Sequence, residues 1–187
     1  MVLGLLRTAG TPAAERPLDV TSIHDAHADF VWATLQRLGV RDADLEDSLQ
    51  EVFVVVHQRL HTFDGSSQMT TWLFGIAMRV AAAHRRRAYV RREHTVVEMP
   101  EGSTGEESDP EQAAQRHQEH QQLSLLLDQL DLEKRAVFVM FEIEEMPCEE
   151  IAAIVGVPVG TVYSRLHAAR KMFEAAAARL RARGERR

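Results

Sequence analysis

The sequence predicts an all-α protein of two small helical bodies joined by an acidic connector, and three observations carry that prediction. Apolar residues recur at three- and four-residue spacing in several stretches, while β-branched runs bounded by turns are few. Aromatic residues make up only 6% of the chain. Over residues 93–109 the helical pattern gives way to a polar run with Pro100, Gly102, Ser103, Gly105 and six acids, a composition of linkers rather than cores. The expected division is a flexible tail over 1–18, a front domain over 19–92, the flexible linker over 93–109 and a back domain over 110–183.

Each element has its own local reason. Residues 1–18 mix Gly, Pro and Ala without periodicity, and their apolar part is too short for a signal peptide. A first helix is expected from near Ser22, with Asp25 three residues on in capping-box spacing. Ile23, Ala26, Phe30, Leu35 and Leu38 supply its inner face, and Gly39 ends it. A second helix is expected after Asp44, running to about Leu60, with Leu45, Leu49, Val52, Phe53, Val56 and Leu60 pointing one way. Its other face carries Glu46, Asp47, Gln50 and Glu51. Acids near a helix start are favoured by the helix dipole alone, so this cluster by itself is mild evidence of a partner.

Phe63-Asp64-Gly65-Ser66-Ser67-Gln68 is a turn by composition. A third helix follows from about Met69 to Arg92, with Trp72, Leu73, Ile76, Val80 and Ala83 on one side and Arg79, Arg85, Arg86 and Arg87 crowding its later part. Asp109-Pro110 restarts a helix by N-cap and first-turn preference. Leu123, Leu126, Leu127 and Leu130 give that helix a face, and Asp131 caps the next one through Ile143.

The stretch from Pro147 to Phe173 is the most informative. Ile151, Ile154 and Val155 make a short amphipathic helix, and Gly156 sits where a left-handed residue ends one. Pro158 suits the first turn of the next helix, whose apolar stripe is Val162, Leu166, Ala169 and Phe173. Short helix, tight turn and longer helix form a helix-turn-helix, whose second helix can enter a DNA major groove. Its outward side carries Thr161, Ser164, Arg165, His167, Arg170 and Lys171, donors suited to phosphates and base edges. By spacing alone, a helical hairpin with a solvated basic face would look the same.

Charge patterning favours the nucleic-acid reading. The net charge of -6 averages over opposed segments. His84 to Arg92 holds five arginines and no acid, Glu98 to Glu119 holds seven acids against one arginine, and Arg165 to Arg187 holds eight basic residues against two acids. Cys148 is the only cysteine, which excludes an internal disulfide and a Cys-x-x-Cys metal site and fits a reducing cytoplasm. No apolar run approaches the roughly 20 residues of a membrane span. His24 with His27, His57 with His61 and His117 with His120 could each share a helix face, but two ligands hold a metal poorly. No cofactor or metal is expected.

Taken together, these stretches resemble the extracytoplasmic-function (ECF) subfamily of sigma-70 RNA polymerase sigma factors. The front half carries Glu-Asp-Ser-Leu-Gln-Glu-Val-Phe (46–53) and Phe-Asp-Gly-Ser-Ser-Gln-Met-Thr-Thr-Trp-Leu-Phe-Gly-Ile-Ala (63–77). The back half carries Leu-Asp-Leu-Glu-Lys-Arg-Ala-Val-Phe (130–138) and the run from Glu149 to Arg170. The resemblance implies sigma region 2 in front and region 4 behind, a chain that is no enzyme, and partners in core RNA polymerase, promoter DNA and an anti-sigma factor. It assigns polymerase binding to Asp47, Gln50, Glu51 and Phe53. It assigns −10 recognition and melting to Phe63, Ser66, Ser67, Gln68, Met69, Trp72 and Arg79, with Arg85, Arg86 and Arg87 on phosphates. It assigns −35 duplex recognition to Tyr163, Ser164 and His167, with Thr161, Arg165, Arg170 and Lys171 at backbone or flanking positions. The chain departs from the pattern at Tyr163 and Ala168, where many relatives have Arg, and at Gly75, Ala82 and Ala83. Pro147 stands where a Ser or Thr cap is usual. Two rivals of other classes are a stand-alone helix-turn-helix regulator acting without polymerase and a metal-dependent hydrolase using paired histidines.

Overall fold

The computed structural model describes residues 19–92 and 110–184, so the predicted tail and connector lie outside the described residues. The described chain is helical, in the order α1 (Val20–Arg37), α2 (Asp42–Arg59), a 3-10 turn (Leu60–Thr62), α3 (Met69–Arg92), α4 (Pro110–Leu127), α5 (Leu132–Glu142), α6 (Cys148–Val155) and α7 (Val159–Gly184). The all-α class and the number of long helices agree with the sequence pattern.

Two helix starts differ from expectation. Asp19, not the Ser22–Asp25 pair, caps α1: its Oδ1 accepts from the Ser22 amide at 2.8 Å, leaving Ser22 inside the first turn. Helix α2 begins at Asp42 rather than after Asp44, because Asp42 and Asp44 both stabilise its first turn and Arg41 binds the Asp44 carboxylate at 2.6 Å. The inner face of α1 also shifts. Ala26 is exposed, and the buried residues are Ile23, Val31, Thr34, Leu35 and Leu38. Gly39 does end the helix, at φ 86°.

Helices α1, α2 and α3 pack around Leu35, Leu45, Val52, Val56, Leu73 and Ile76. Helices α4 to α7 form the second body around Leu127, Leu130, Val137, Met140, Ile151, Val162 and Leu166. The Phe138 and Phe173 rings stack at 4.8 Å and tie α5 to α7. Asp131 caps α5 as predicted, accepting from the Lys134 amide at 3.0 Å. Gly156 ends α6 in the left-handed region at φ 69°, and α7 follows at once.

Helix α3 is buried over a wider arc than its predicted single face. Thr71, Leu73, Phe74, Gly75, Ile76, Ala77, Val80 and Ala81 are all buried, whereas Ala83 is only half-buried. The reason is non-local: α3 meets α1 and α2 on one side and α6 of the second body on another. One continuous apolar core therefore runs through both bodies. Among the described residues no single helix is long and apolar enough to cross a membrane. The pair α6 and α7 reaches that length and composition together, but is bent by 102° at the Gly156 corner.

Candidate nucleic-acid interface

The recognition-helix candidate is α7. Its stripe of Val162, Leu166 and Ala169 is buried against α5 and α6, which turns the intervening positions outward. Tyr163 is 54% exposed, and Ser164, His167, Arg170 and Lys171 are exposed with it. Thr161 and Arg165 are half-buried. The Ser164 hydroxyl donates to the Thr161 carbonyl at 3.0 Å, so it faces back along its own helix. The Glu149 carboxylate, then Cys148, hold the Tyr163 phenol above its ordinary value. Tyr163 is therefore a neutral group that both donates and accepts at working pH.

The two arginines of this surface are not loose cations. Arg165 binds the Glu133 carboxylate at the start of α5. Arg170 gives its Nε–H to Glu142 at 2.5 Å and lies over the Phe141 ring, 5.1 Å from its centre. Sequence spacing finds the arginines but not their α5 partners, which sit about thirty positions away. Lys171 also lines a shallow groove with Gln129, Met172, Ala175 and Arg179.

The predicted −10 loop is shaped by its own turn chemistry. Asp64 Oδ1 accepts from the Ser66 amide at 2.9 Å, and Gly65 supplies φ 74°. The Ser66 bonds hold the Asp64 carboxyl below its ordinary range. Phe63 and Trp72 pack as tilted rings 5.4 Å apart, both half-buried, and make an apolar wall beside the exposed Ser66 and Gln68. Ser67 and Met69 are half-buried next to them, and Arg79 is exposed one face further along α3.

The basic run at the end of α3 is divided in use. Arg86 is exposed. Arg85 turns inward and donates to the Leu38 carbonyl at 3.3 Å. Arg87 reaches Glu51 of α2 at 3.3 Å. Of the three arginines predicted to meet phosphate, Arg86 and Arg87 are both exposed, Arg87 while also reaching Glu51 of α2, and Arg85 braces α3 against the end of α1.

The face of α2 is similarly sorted. Asp47 and Gln50 are exposed. Glu51 is engaged by His84 at 3.1 Å and by Arg87. Phe53 is a core residue at 8% exposure. Its ring packs on His24 at 4.6 Å and floors a groove whose other walls are Leu49, Gln50, Val54 and His57. Val54, absent from the predicted set, is 55% exposed at the rim of this groove. The signal that could have found it was an apolar residue on the solvent side of an otherwise amphipathic helix. Among the described residues no group of three or more potential metal ligands comes together.

This arrangement defines an all-helical protein with a helix-turn-helix body behind and a second helical body, bearing an aromatic-walled loop, in front. The sigma-70 region 2 pattern matches residues 23–90 and the sigma-70 region 4 pattern matches residues 120–173. The ECF RNA polymerase sigma-E factor of Escherichia coli K12 is 30% identical over 149 residues, which cover 76% of this chain and 78% of that one. The ECF RNA polymerase sigma factor SigE of Mycolicibacterium smegmatis is 33% identical over 148 residues, covering 79% of this chain. The chain spans 57% of that relative's length. Two solved structures share the fold: CnrH in complex with the cytosolic domain of CnrY (TM-score 0.62, 21% identity, 85% of this chain and 87% of that one) and RpoE in complex with the anti-sigma factor NepR from Bartonella quintana (TM-score 0.65, 18% identity, 84% and 96%). The chain belongs to the extracytoplasmic-function family of sigma-70 RNA polymerase sigma factors.

Proposed function

We propose that this chain is an alternative sigma factor that binds core RNA polymerase and directs it to selected promoters. The observation that carries the reading is that both sigma regions occur in order, each with an exposed surface of suitable chemistry. In front, Asp47, Gln50 and Val54 border the Phe53 groove and offer carboxylate, amide and apolar contact to a basic partner helix. The Phe63–Trp72 wall with Ser66 and Gln68 can stack an unpaired base and read its edge, and Arg79 and Arg86 attract the strand. Behind, α7 presents Tyr163, His167, Arg170 and Lys171 to duplex DNA. The domain limits of 19–92 and 110–183 fit this division of labour. The chain itself makes and breaks no covalent bond, and it works in the cytoplasm where polymerase is.

The complex of RpoE with the anti-sigma factor NepR, together with that of CnrH with the cytosolic domain of CnrY, supports a further element. An anti-sigma protein would hold this chain until a signal releases it. The stand-alone regulator is not favoured, because it leaves the α2 surface without a role. Run-off transcription with purified core polymerase and a library of genomic promoter fragments tests the proposal. Promoter-specific transcripts that depend on the chain are expected. Tight specific binding of the chain alone to duplex DNA, with no transcripts, would instead establish the regulator.

A further inference from the structure

We infer that the C-terminal part of α7, residues 174–184, is a second DNA contact: a basic helical arm that binds backbone phosphates of the duplex flanking the −35 element. The inference rests on the proposed sigma function and extends it, since the region 4 pattern ends at residue 173 and α7 continues to Gly184.

The arm is helical for local reasons. Ala175 to Ala178 are the best of helix formers, because Ala gives up no side-chain freedom on entering a helix. Packing does not explain the length. Among the described residues of α7 the last buried side chain is Ala176, and beyond it Ala177 and Leu180 are only half-buried. At ~1.5 Å per residue, the helix runs on for about 12 Å past that point.

The cations of α7 are of two kinds. Arg165 and Arg170, beside the reading residues, are held by Glu133 and Glu142. Lys171, Arg179 and Arg181 are exposed, and among the described residues no carboxylate stands within ion-pair distance of them. Glu174 is the only acid over 174–184. Lys171 and Arg179 line one groove with Gln129, Met172 and Ala175. Arg179 gives its Nε–H back to the Ala175 carbonyl at 3.1 Å, one turn nearer Lys171. That bond uses one of five guanidinium donors and leaves the four on Nη1 and Nη2 for an anion. The helix dipole favours cations in a last turn, which accounts for Arg181 but not for Arg179 or Lys171 further back.

Two features favour a nucleic-acid backbone over an acidic protein as the anion. The described surface of the arm exposes Ala and Arg with no aromatic or large aliphatic side chain, whereas protein interfaces concentrate their binding in such anchors. The free cations also share one unbroken helix with Tyr163 and His167. Arg179 follows Tyr163 by about 24 Å along the axis, twice the ~12 Å width of a major groove. Seating the reading residues in the groove therefore carries the arm out toward a flanking strand. Long recognition helices can read bases with one part and meet the backbone with their C-terminal end. Such contacts add affinity and fix register without choosing sequence.

The test is phosphate interference with the full holoenzyme. Neutral methylphosphonate linkages are placed one at a time across the −35 element and one helical turn (~10 base pairs) to either side. Wild type is expected to lose affinity several-fold at one or more linkages outside the element. Arg179→Gln with Arg181→Gln should abolish that outer sensitivity and keep the sensitivity inside the element. It should also lower the slope of log affinity against log salt by about 1.8. Arg179→Lys with Arg181→Lys should restore both, and neither variant should change the preferred −35 sequence. A double Gln variant with the wild-type interference pattern and slope overturns the inference, even if its melting temperature falls. So does one that weakens assembly with core polymerase while the outer sensitivity persists, which would give the arm an acidic protein partner instead. A wild-type holoenzyme with no promoter-specific binding at all overturns the sigma reading itself, a result distinct from either.

Discussion

Glu51 of α2 and His84 of α3 meet at 3.1 Å, and Arg87 approaches the same carboxylate at 3.3 Å. Partial burial pushes the Glu51 carboxyl up, but the hydrogen bonds and charges of Arg87 and His84 outweigh it and leave the group below its ordinary value of 4.5. A carboxyl depressed in the folded state adds stability above its unfolded value, and loses it as pH falls through the folded one. Thermal melts of wild type and Glu51→Gln should therefore differ at neutral pH and converge as pH falls through the depressed folded-state value, below the ordinary 4.5. Because the Glu51 side chain is 36% exposed and that of Arg87 53%, the difference should stay within about 1 kcal/mol. An equal difference at every pH would show that the carboxylate's charge is not what matters.

The engagement of Glu51 with α3 separates two roles that lie next to each other on α2. Asp47→Ala with Gln50→Ala should weaken association with core polymerase by roughly ten-fold, about 1.4 kcal/mol, while leaving the melting temperature within a degree or two. Val54→Asp should act in the same way, because it puts a charge at the rim of an apolar groove without disturbing the core. Glu51→Gln should show the reverse pattern, with a lower melting temperature and nearly unchanged polymerase affinity. Fluorescence titration of labelled chain with core enzyme, beside the melts, distinguishes them. If Glu51→Gln weakens association as much as the Asp47 and Gln50 changes, the carboxylate serves polymerase after all.

On α7, cations and base readers should separate by salt dependence. Lys171→Gln removes one exposed charge. Holoenzyme binding to promoter duplex should then lose about 0.9 from the slope of log affinity against log salt, with little change in preferred sequence. Tyr163→Ala removes a neutral, exposed donor and should leave the slope intact while changing preference at one or two base positions, each by about 1–3 kcal/mol. Selection of bound promoter fragments at two salt concentrations reads both effects. A changed slope for Tyr163→Ala, or a changed sequence preference for Lys171→Gln, would reverse the assignment.

The parts of this molecule legible in the sequence are those whose causes are local. Gly156 at φ 69° and Pro158 just after it mark the helix-turn-helix corner by themselves. The stripe of Val162, Leu166 and Ala169 fixes which side of α7 faces outward, so Ser164, His167, Arg170 and Lys171 fell where spacing put them, while Thr161 and Arg165 are half-buried. The helix starts were less legible, because Asp19 and Ser22 can both cap, as can Asp42 and Asp44. What spacing could not supply was any contact between bodies. A charged residue such as Arg135 in a helix reads as surface, yet it is buried because carbonyls 98 and 99 positions earlier accept from it. The extra buried arc of α3 has the same non-local origin, in α6. Arg165, Arg170, Arg85 and Arg87 were found by type, but their carboxylate and carbonyl partners decide which remain available to phosphate.

Gly39 offers the sharpest check on that non-local packing. It shares a positive φ with Gly65 and Gly156, but only Gly39 has side-chain atoms where a Cβ would go. An alanine at Gly65 or Gly156 meets the backbone cost of the left-handed region alone, about 1–2 kcal/mol. An alanine at Gly39 meets that cost and must also displace the guanidiniums of Arg135 and Arg85, both 2.9 Å from the new carbon. Arg135 has little room to yield, since its three nitrogens are held by Arg37, Gln36 and Asp128. Gly39→Ala should therefore destabilise by about 2–4 kcal/mol, the sum of strain and a disturbed buried hydrogen-bond set. Gly156→Ala should stay near the lower figure. Adding Arg135→Met to Gly39→Ala should recover part of the difference, because the linear side chain vacates the crowded position. Urea melts of the four chains measure all these quantities. Equal losses for Gly39→Ala and Gly156→Ala, with no coupling to Arg135→Met, would mean that the guanidinium does not press on the α1 terminus in solution.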